Sequence, residues 1–150
     1  MISVMSATQA DVDFCAEIEN ASFSEPWSVY SFSKAVDDAD TLFYVAKNEN
    51  GVLGYFVAGN ICNEINLYTI AVRDDCRGCG IGHALLKTLK QQAVLSDALA
   101  VFLEVRESNQ AAIALYKNNG FIEIGKRKAF YKKPTEDALL FALYLKEEII

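Results

Sequence analysis

Apolar residues recur along the chain with two different spacings, and these spacings predict its strands and helices. Runs rich in apolar, β-branched and aromatic residues are typical of strands at 1–5, 41–47, 52–61, 65–72, 99–105, 121–129 and 138–145. Apolar residues at helical spacing predict helices over 11–21, 29–36, 84–93 and 109–119. We therefore expect one domain, residues 1–150, that mixes helices and strands.

The order of these elements predicts a mixed sheet. Asn50-Gly51 lies between the strands at 41–47 and 52–61, which is typical of a hairpin, and the strand at 65–72 follows after a short turn. These three strands are expected to form an antiparallel meander. The strand at 99–105 follows a strand and a helix, and a right-handed crossover makes it parallel to 65–72. The predicted fold class is α/β, with a mixed sheet and helices on both faces.

Local signals mark the ends of the helices. Thr8 and Ser28 are candidate N-caps of the first two helices, because their hydroxyl oxygens can accept from free backbone N–H groups. Ser108 or Asn109 is the candidate N-cap of the last helix, which we expect to end before Gly120.

The composition fits a folded domain and narrows its partners. The chain is 52% hydrophobic and 11% aromatic, and it carries a net charge of −6. An acidic chain argues against direct nucleic-acid binding, which favours a basic surface. No segment approaches the ~20 apolar residues that span a membrane, and the first residues do not resemble a signal peptide. We expect a cytoplasmic protein without membrane contact, whose four cysteines are free thiols.

One pair of cysteines raises the question of a metal site. Cys76 and Cys79 form a C-x-x-C motif, and His83 lies close by in the sequence. Structural zinc needs four ligands, and no second pair completes this set. We favour the interpretation that these are loop residues and predict no metal.

A glycine-rich turn separates the strand at 65–72 from the helix that follows it. The turn reads RGCGIG over residues 77–82, and its alternate glycines bring bare backbone close to any ligand above them. A helix N-terminus has unpaired N–H groups and partial positive charge, so the turn predicts a phosphate site. No Lys-Ser/Thr pair follows Gly82, which excludes a Walker A loop. Glu104, near the end of the next strand, leaves a dinucleotide site open.

Two further residues are candidates for chemistry. Glu104 interrupts an apolar strand, so its carboxylate is either paired with Arg106 or buried at the mouth of a site with a raised pKa. Tyr116 lies on an apolar helix face, where tyrosines usually belong to the core, but its phenol can also donate a proton to a leaving group. Several aromatic residues fall in 23–32, where they either pack on the sheet or form a wall for a substrate.

Taken in order, these motifs resemble a known family. The segments are FSEPWS at 23–28, IAV at 70–72 with RGCGIG at 77–82, LEVRESN at 103–109, AAIALY at 111–116 with Gly120-Phe121, and Tyr131, Pro134 and EDA at 136–138. The chain resembles the GNAT-fold N-acetyltransferases, and within them the RimI-type N-terminal alanine acetyltransferases of ribosomal proteins. The resemblance spans nearly the whole chain.

The resemblance implies a fold and a set of site residues. It implies a GNAT-like domain whose mostly antiparallel sheet contains a splayed parallel strand pair, with acetyl-CoA as acetyl donor and the N-terminus of a ribosomal protein as acceptor. The implied acetyl-CoA-binding residues are Ile70, Ala71, Val72, Arg77, Gly78, Cys79, Gly80, Ile81, Gly82, His83 and Asn109. It implies Glu104 as general base and Tyr116 as general acid in a direct transfer, and the candidate acceptor-binding residues are Phe23, Trp27, Tyr30 and Tyr131.

Two other functions are compatible with parts of this pattern. A GNAT enzyme that acetylates a small amine or a lysine side chain would share every acetyl-CoA residue, and it would differ at 23–30 and 131–137. A non-catalytic acyl-CoA-binding module would share the glycine turn, but the presence of both Glu104 and Tyr116 argues against it.

Overall fold

The computed structural model describes residues 1–146, which form seven strands and four α-helices. The strands are β1 Ser3–Ser6, β2 Thr41–Asn48, β3 Gly51–Ile61, β4 Glu64–Val72, β5 Ala100–Arg106, β6 Ile122–Tyr131 and β7 Glu136–Tyr144. The helices are α1 Val12–Ser22, α2 Val29–Asp37, α3 Ile81–Leu95 and α4 Gln110–Asn118. Each element overlaps a segment that the apolar spacing predicts.

The strands form one mixed sheet in the order β1-β2-β3-β4-β5-β7-β6. The meander β2-β3-β4 is antiparallel, and β5 is parallel to β4, as the crossover through α3 predicts. β7 inserts antiparallel between β5 and β6. The α/β fold class and the mostly antiparallel sheet are therefore confirmed.

The parallel pair separates soon after it begins. β4 and β5 pair only from Glu64 to Asn66 on one strand and from Ala100 to Phe102 on the other. β4 also contains a bulge at Tyr68, because Val57 pairs with Thr69 while its neighbour Ala58 pairs with Leu67. A bulge bends its strand and increases the local twist, so β4 diverges from β5 beyond this point. The result is an opening in the sheet between the two strands.

The bulge also reverses the faces of β4. Ile65 and Leu67 lie in the core on the α3 face, whereas Thr69 and Ala71 lie on the face covered by α1 and α2. The apolar residues of β4 carry a trace of this reversal, because they shift from odd to even positions at Tyr68. Such a change of phase in a strand indicates an inserted residue.

Two cores hold the helices to opposite faces of the sheet. The larger core packs α3 and α4 on one face, through Leu85, Leu86, Ile113 and their neighbours. The smaller core packs α1 and α2 on the other, through Cys15, Ile18 and Phe32. Helices on both faces are therefore confirmed.

The predicted caps are borne out for two of the helices. Ser28 Oγ accepts from the N–H of Ser31 at 3.1 Å. At α4 the cap is Asn109 rather than Ser108, because Asn109 Oδ1 accepts from the N–H of Ala112 at 3.2 Å. Gly120 ends α4 with a φ of 91°.

Candidate active site

The glycine turn has the geometry of an anion cradle. Gly78 and Gly80 both have a φ of 80°, and a Cβ on either would meet no atom within 4 Å. The backbone conformation, and not crowding inside the protein, therefore favours glycine at both positions. The first bond of α3 is donated by Ala84 N–H to Gly80 O at 3.1 Å. The N–H groups of residues 81–83 therefore have no intrahelical acceptor and face outward at the helix end.

Gly82 has a different role from the other two glycines. A Cβ there would lie 3.0 Å from Leu115 Cδ2, in α4. The missing side chain allows α4 to pack closely against the start of α3. Tyr116 is the next residue along α4.

Arg77 and His83 flank the turn, and both have partners. Arg77 pairs with Asp74 at 3.0 Å, and both side chains are largely exposed. His83 Nδ1 lies 2.9 Å from Asn119 Nδ2, an amide nitrogen that also donates to Leu115 O at 2.8 Å. With the Asn119 amide as donor, His83 Nδ1 accepts and the neutral ring carries its proton on Nε2. Cys79 between them is exposed.

The strand before the turn leaves its edge facing the opening. Ile70 and Val72 are half-buried on the α3 face, and Ala71 is buried on the face of α1 and α2. The β4–β5 pairing ends at Asn66, and the backbone groups of successive β4 residues point to opposite sides. Those of Ile70 and Val72 face the opening, whereas those of Ala71 face β3. On the other side of the opening, Asn109 caps α4.

Glu104 lies in β5 opposite Leu140 of β7, and its side chain is exposed. The pairing with Arg106 and the burial that the sequence suggested for this residue are both wrong. Arg106 forms its ion pair with Glu136 at 3.2 Å and not with Glu104. The burial that the second alternative required is absent, so the carboxylate of Glu104 is open to solvent.

Tyr116 is buried, and its ring packs near Phe121 and Phe141, with centroids at 5.8 and 6.3 Å. Burial raises the pKa of its phenol well above the ordinary value, and Tyr131 adds a smaller effect in the same direction. Tyr116 is therefore a neutral phenol throughout the neutral pH range.

Tyr131 connects the two candidate groups electrostatically. Burial raises the pKa of Tyr131 to about 12, and the negative charge of Glu104 contributes next. The charge of Arg106 opposes these effects, and its guanidinium lies 4.5 Å from the centre of the Tyr131 ring. The phenol of Tyr131 therefore interacts electrostatically both with Glu104 and with Tyr116.

Some aromatic residues of the α1–α2 segment pack on the sheet, and others are exposed as a wall for a substrate requires. Phe32 is fully buried in the smaller core, as the packing interpretation predicts. Phe23 is 37% exposed and Tyr30 is 70% exposed, so both are available to a ligand. Trp27 is half-buried, and its ring stacks on Tyr68 with centroids 6.0 Å apart.

Arg106 is a residue whose importance the sequence did not reveal. Its guanidinium donates to the backbone O of Lys132 at 2.8 Å and of Pro134 at 3.0 Å, both in the β6–β7 loop. It also donates to Ser24 Oγ at 3.2 Å, in the segment between α1 and α2. One side chain thus joins the two segments in which the candidate acceptor residues lie.

Replacing Arg106 with lysine is expected to loosen this junction. A lysine keeps the charge opposite Glu136 but lacks the planar fork that reaches several acceptors at once. We expect a loss of about 1–3 kcal/mol in the free energy of unfolding, with faster hydrogen exchange confined to residues 24–27 and 131–136. Lys126→Gln is the control, because it breaks an exposed ion pair with Glu107 and should cost under about 1 kcal/mol. Unchanged exchange in both segments would contradict the assignment.

Other features of the described residues bear on the sequence predictions. All four cysteines are free thiols. Within residues 1–146, no cluster of three or more His, Cys, Asp or Glu side chains is arranged to hold a metal ion. No helix in this part of the chain is long and apolar enough to cross a bilayer.

Comparison with known proteins decides the family. The family model for the acetyltransferase (GNAT) family matches residues 12–121. The chain belongs to this family. It is an acetyl-CoA-dependent N-acetyltransferase, and the resemblance drawn from its motifs is confirmed.

Curated relatives of this GNAT chain include enzymes with a stated acceptor. The [ribosomal protein bS18]-alanine N-acetyltransferase of Haemophilus influenzae is 32% identical over 96% of this chain and 100% of that protein. The Escherichia coli K12 protein of the same name is 33% identical over 95% of this chain and 97% of its own. A protein of Mycobacterium leprae is 34% identical over 93% of this chain, which spans 40% of that protein's length.

A solved structure agrees with the sequence relatives. The crystal structure of the ribosomal-protein-S18-alanine N-acetyltransferase from Escherichia coli matches with a TM-score of 0.89 at 29% identity. The match covers 99% of this chain and 96% of that chain.

Proposed function

We propose that this enzyme transfers the acetyl group of acetyl-CoA to the N-terminal α-amino group of a protein in the cytoplasm, and that the acceptor begins with alanine and belongs to the ribosome. The observation that carries the proposal is the match to bS18-alanine N-acetyltransferases over 95% or more of the chain. The acceptor is expected to be distinguished at 23–30 and 131–137, where a GNAT enzyme for a small amine or a lysine side chain would differ. No contact with nucleic acid or membrane is part of the proposal.

The residues of the turn fit the phosphates of acetyl-CoA. The free amides at 81–83 and the helix dipole favour anions, and the open space at Gly78 and Gly80 lets phosphate approach the backbone. Arg77 and His83 lie beside these amides. An acidic protein can hold an anionic substrate in this way because the attraction is local.

The opening between β4 and β5 fits the pantetheine arm. Backbone groups of Ile70 and Val72 would pair with the arm as a strand partner, and one of these amides can polarise the thioester carbonyl. Asn109 would contact the arm from the α4 side through its amide nitrogen, because its Oδ1 already caps the helix.

Glu104 is proposed to accept a proton from the attacking amine. An α-amino group titrates near about 8, so a base has one accessible proton to remove at neutral pH. An exposed carboxylate beside the opening can do this through one water molecule. The neutral amine then attacks the thioester carbonyl, so that a C–N bond forms and the C–S bond breaks. The nitrogen releases its second proton to water as the amide forms, which balances the proton that the departing sulfur takes up.

Tyr116 is proposed to donate a proton to the departing sulfur. Its raised pKa keeps the phenol protonated, so the hydroxyl is available as a donor at every neutral pH. Burial beside the opening favours neutralising a negative sulfur, because charge is poorly solvated there. Transfer is direct, so Cys76 and Cys79 need not act as nucleophiles.

A peptide panel separates this proposal from a GNAT enzyme for small amines or lysine. Peptides with a free N-terminal alanine should be acetylated faster than polyamines, aminoglycosides, or the same peptides with a blocked N-terminus and a free lysine. Preference for any of the latter would contradict the proposed acceptor. Release of no thiol with any acceptor would favour the non-catalytic acyl-CoA-binding module.

Gly80→Ala is expected to weaken binding of acetyl-CoA while the chain still folds. Alanine at a φ of 80° is strained, and relaxation of that strain moves the amides that follow. We expect the Kd for acetyl-CoA to rise by about tenfold or more, measured by calorimetric titration.

Gly51→Ala is the matched control for this variant. Gly51 also has a positive φ, 105°, with nothing near its Cβ position, but it lies in the β2–β3 hairpin. Both variants should lose similar stability, and only Gly80→Ala should lose affinity. Equal affinities in the two variants would contradict the role of the turn.

A further inference from the structure

A buried carboxylate lies outside the proposed chemistry. Glu19 is on the inner side of α1 and is only 2% exposed, in the smaller core. Its Oε1 accepts from the hydroxyl of Tyr55 at 2.6 Å and from that of Thr69 at 2.7 Å. Its Oε2 accepts from the backbone N–H of Trp27 at 2.9 Å. Three donors from β3, β4 and the α1–α2 segment therefore converge on one side chain.

A carboxylate is found in a protein core only when hydrogen-bond donors surround its oxygens. A buried carboxylate is strongly unfavourable unless it is hydrogen-bonded, and bonds to an ionised acceptor are roughly twice as strong as neutral ones. The core of α1, β3 and β4 could instead have been filled by an apolar residue, as it is at Cys15 and Ile18. The carboxylate therefore does something that an apolar side chain cannot do, which is to hold a backbone N–H of a loop.

The N–H that it holds belongs to Trp27. The Trp27 ring stacks on Tyr68 with an interplanar angle of 30° and lies 5.4 Å from the ring of Phe32. Trp27 and Tyr68 line an open cleft of about 640 Å³ together with Lys34 and Asp37. The loop backbone is thus fixed from below, while one side of its aromatic ring remains open to a ligand.

Glu19 also fixes the other half of this aromatic pair. Thr69 directly follows Tyr68, the bulge residue of β4, and its hydroxyl is bound to the same carboxylate that holds Trp27. The relative position of Trp27 and Tyr68 therefore depends on Glu19, although its hydrogen bonds go to the Trp27 backbone and to Thr69 and not to either ring. Tyr68 and Thr69 belong to β4, which continues to Ile70.

We propose that Glu19 is a positioning residue that fixes the wall formed by Trp27 and Tyr68 for the acceptor peptide. The assignment of this wall to the acceptor rests on the proposed function. Glu19 acts through the backbone of Trp27 and does not touch the reacting atoms. Its loss should impair use of the acceptor more than the chemical step or the binding of acetyl-CoA.

Glu19→Gln is the test, because a glutamine has a single acceptor oxygen. The amide oxygen is expected to serve the two hydroxyls, since the opposite orientation leaves two hydroxyl protons unpaired. Its NH2 group then faces the Trp27 N–H. Because both groups are donors, they form no hydrogen bond, and the loop loses its attachment to α1. We expect the KM for an alanine-initiated peptide to rise about tenfold, with kcat within twofold and the Kd for acetyl-CoA unchanged.

Tyr55→Phe is the matched control. It removes a bond of similar strength to the same carboxylate and leaves the bond to Trp27 intact. Both variants should lose comparable stability in urea unfolding, and only Glu19→Gln should change the peptide KM. Equal KM changes in the two variants would show that Glu19 serves stability, and a fall in kcat alone would show that it affects the chemical step. Either result would overturn the proposal.

Fluorescence tests the same inference without activity. Trp27 is the single tryptophan of the chain, so its emission reports this loop alone. We expect Glu19→Gln to increase acrylamide quenching of this emission and Tyr55→Phe to leave it unchanged. Unchanged quenching in folded Glu19→Gln would overturn the positioning role even if the enzyme proves active. Increased quenching in an enzyme that does not acetylate N-termini would keep the positioning role and reject the proposed function.

Discussion

Glu104→Gln is expected to lower kcat by roughly 10²-fold or more at pH 7, as loss of a general base implies. Glutamine is isosteric and the position is exposed, so the fold should remain intact. Steady-state kinetics with an alanine-initiated peptide at saturating acetyl-CoA would measure the loss. Glu107→Gln is the control, because this neighbouring carboxylate is also exposed and pairs with Lys126 on the surface.

The pH dependence makes this prediction specific. The proton that Glu104 is proposed to remove is present only while the amine is protonated, and an α-amino group loses that proton above about pH 8. The defect of Glu104→Gln should therefore shrink as the pH rises through this value, while the defect of a merely distorted site would persist. A defect that stays constant up to pH 9.5, about 1.5 units above that pKa, would contradict the assignment of Glu104 as base.

Tyr116→Phe is expected to lower kcat by a similar factor, roughly 10²-fold or more, because the leaving sulfur loses its proton donor. The ring remains, so the packing near Phe121 and Phe141 and the thermal unfolding midpoint should change little. Steady-state measurement of kcat, together with the Kd for acetyl-CoA, would distinguish a slower chemical step from weaker binding of acetyl-CoA.

A matched control variant shows whether the loss of any packed phenol lowers kcat. Tyr44→Phe also removes a phenol from a packed ring, which stacks on Phe56 at a centroid distance of 5.4 Å, away from the opening. It should retain the kcat of the parent enzyme. A wild-type kcat in Tyr116→Phe would remove this residue from the mechanism, and an equal loss in both variants would point to a general effect on the fold.

The sequence predicts the elements of this protein well because its local signals are strong. The meander follows from a turn with Asn-Gly between β-rich runs, and the parallel pairing of β4 and β5 follows from the handedness of a crossover. The hairpin itself is slightly displaced, since its loop is Glu49-Asn50 and Gly51 already begins β3. These features depend on residues that are near one another in the chain.

The sequence predicts the site less completely, for reasons that are also physical. The partners of Arg106 lie in two loops far from it in sequence, and a pairing with Glu104 two residues away seemed equally reasonable. The exposure of Glu104 depends on how β4 and β5 separate, which the alternation of residues does not give. The roles of the candidate site residues remain proposals.

The position of Glu19 in the sequence indicates that its carboxylate is buried. It lies four residues after Cys15 and seven after Val12, on the apolar stripe of α1 rather than on the solvent side. A carboxylate on such a stripe indicates a buried, hydrogen-bonded group. Its partners Tyr55 and Thr69 come from distant strands, so only the structure identifies them.

The most direct test of the central claim is tandem mass spectrometry of an acceptor after reaction with this enzyme and isotopically labelled acetyl-CoA. The acceptor is a peptide with an N-terminal alanine and one internal lysine, so both kinds of amine are present in one molecule. The proposed function predicts one labelled acetyl group on the α-amino nitrogen of alanine, and about a hundredth as much labelled peptide, or less, when Glu104→Gln replaces the enzyme over the same time. Label on the lysine, or no label with the active parent enzyme, would contradict it.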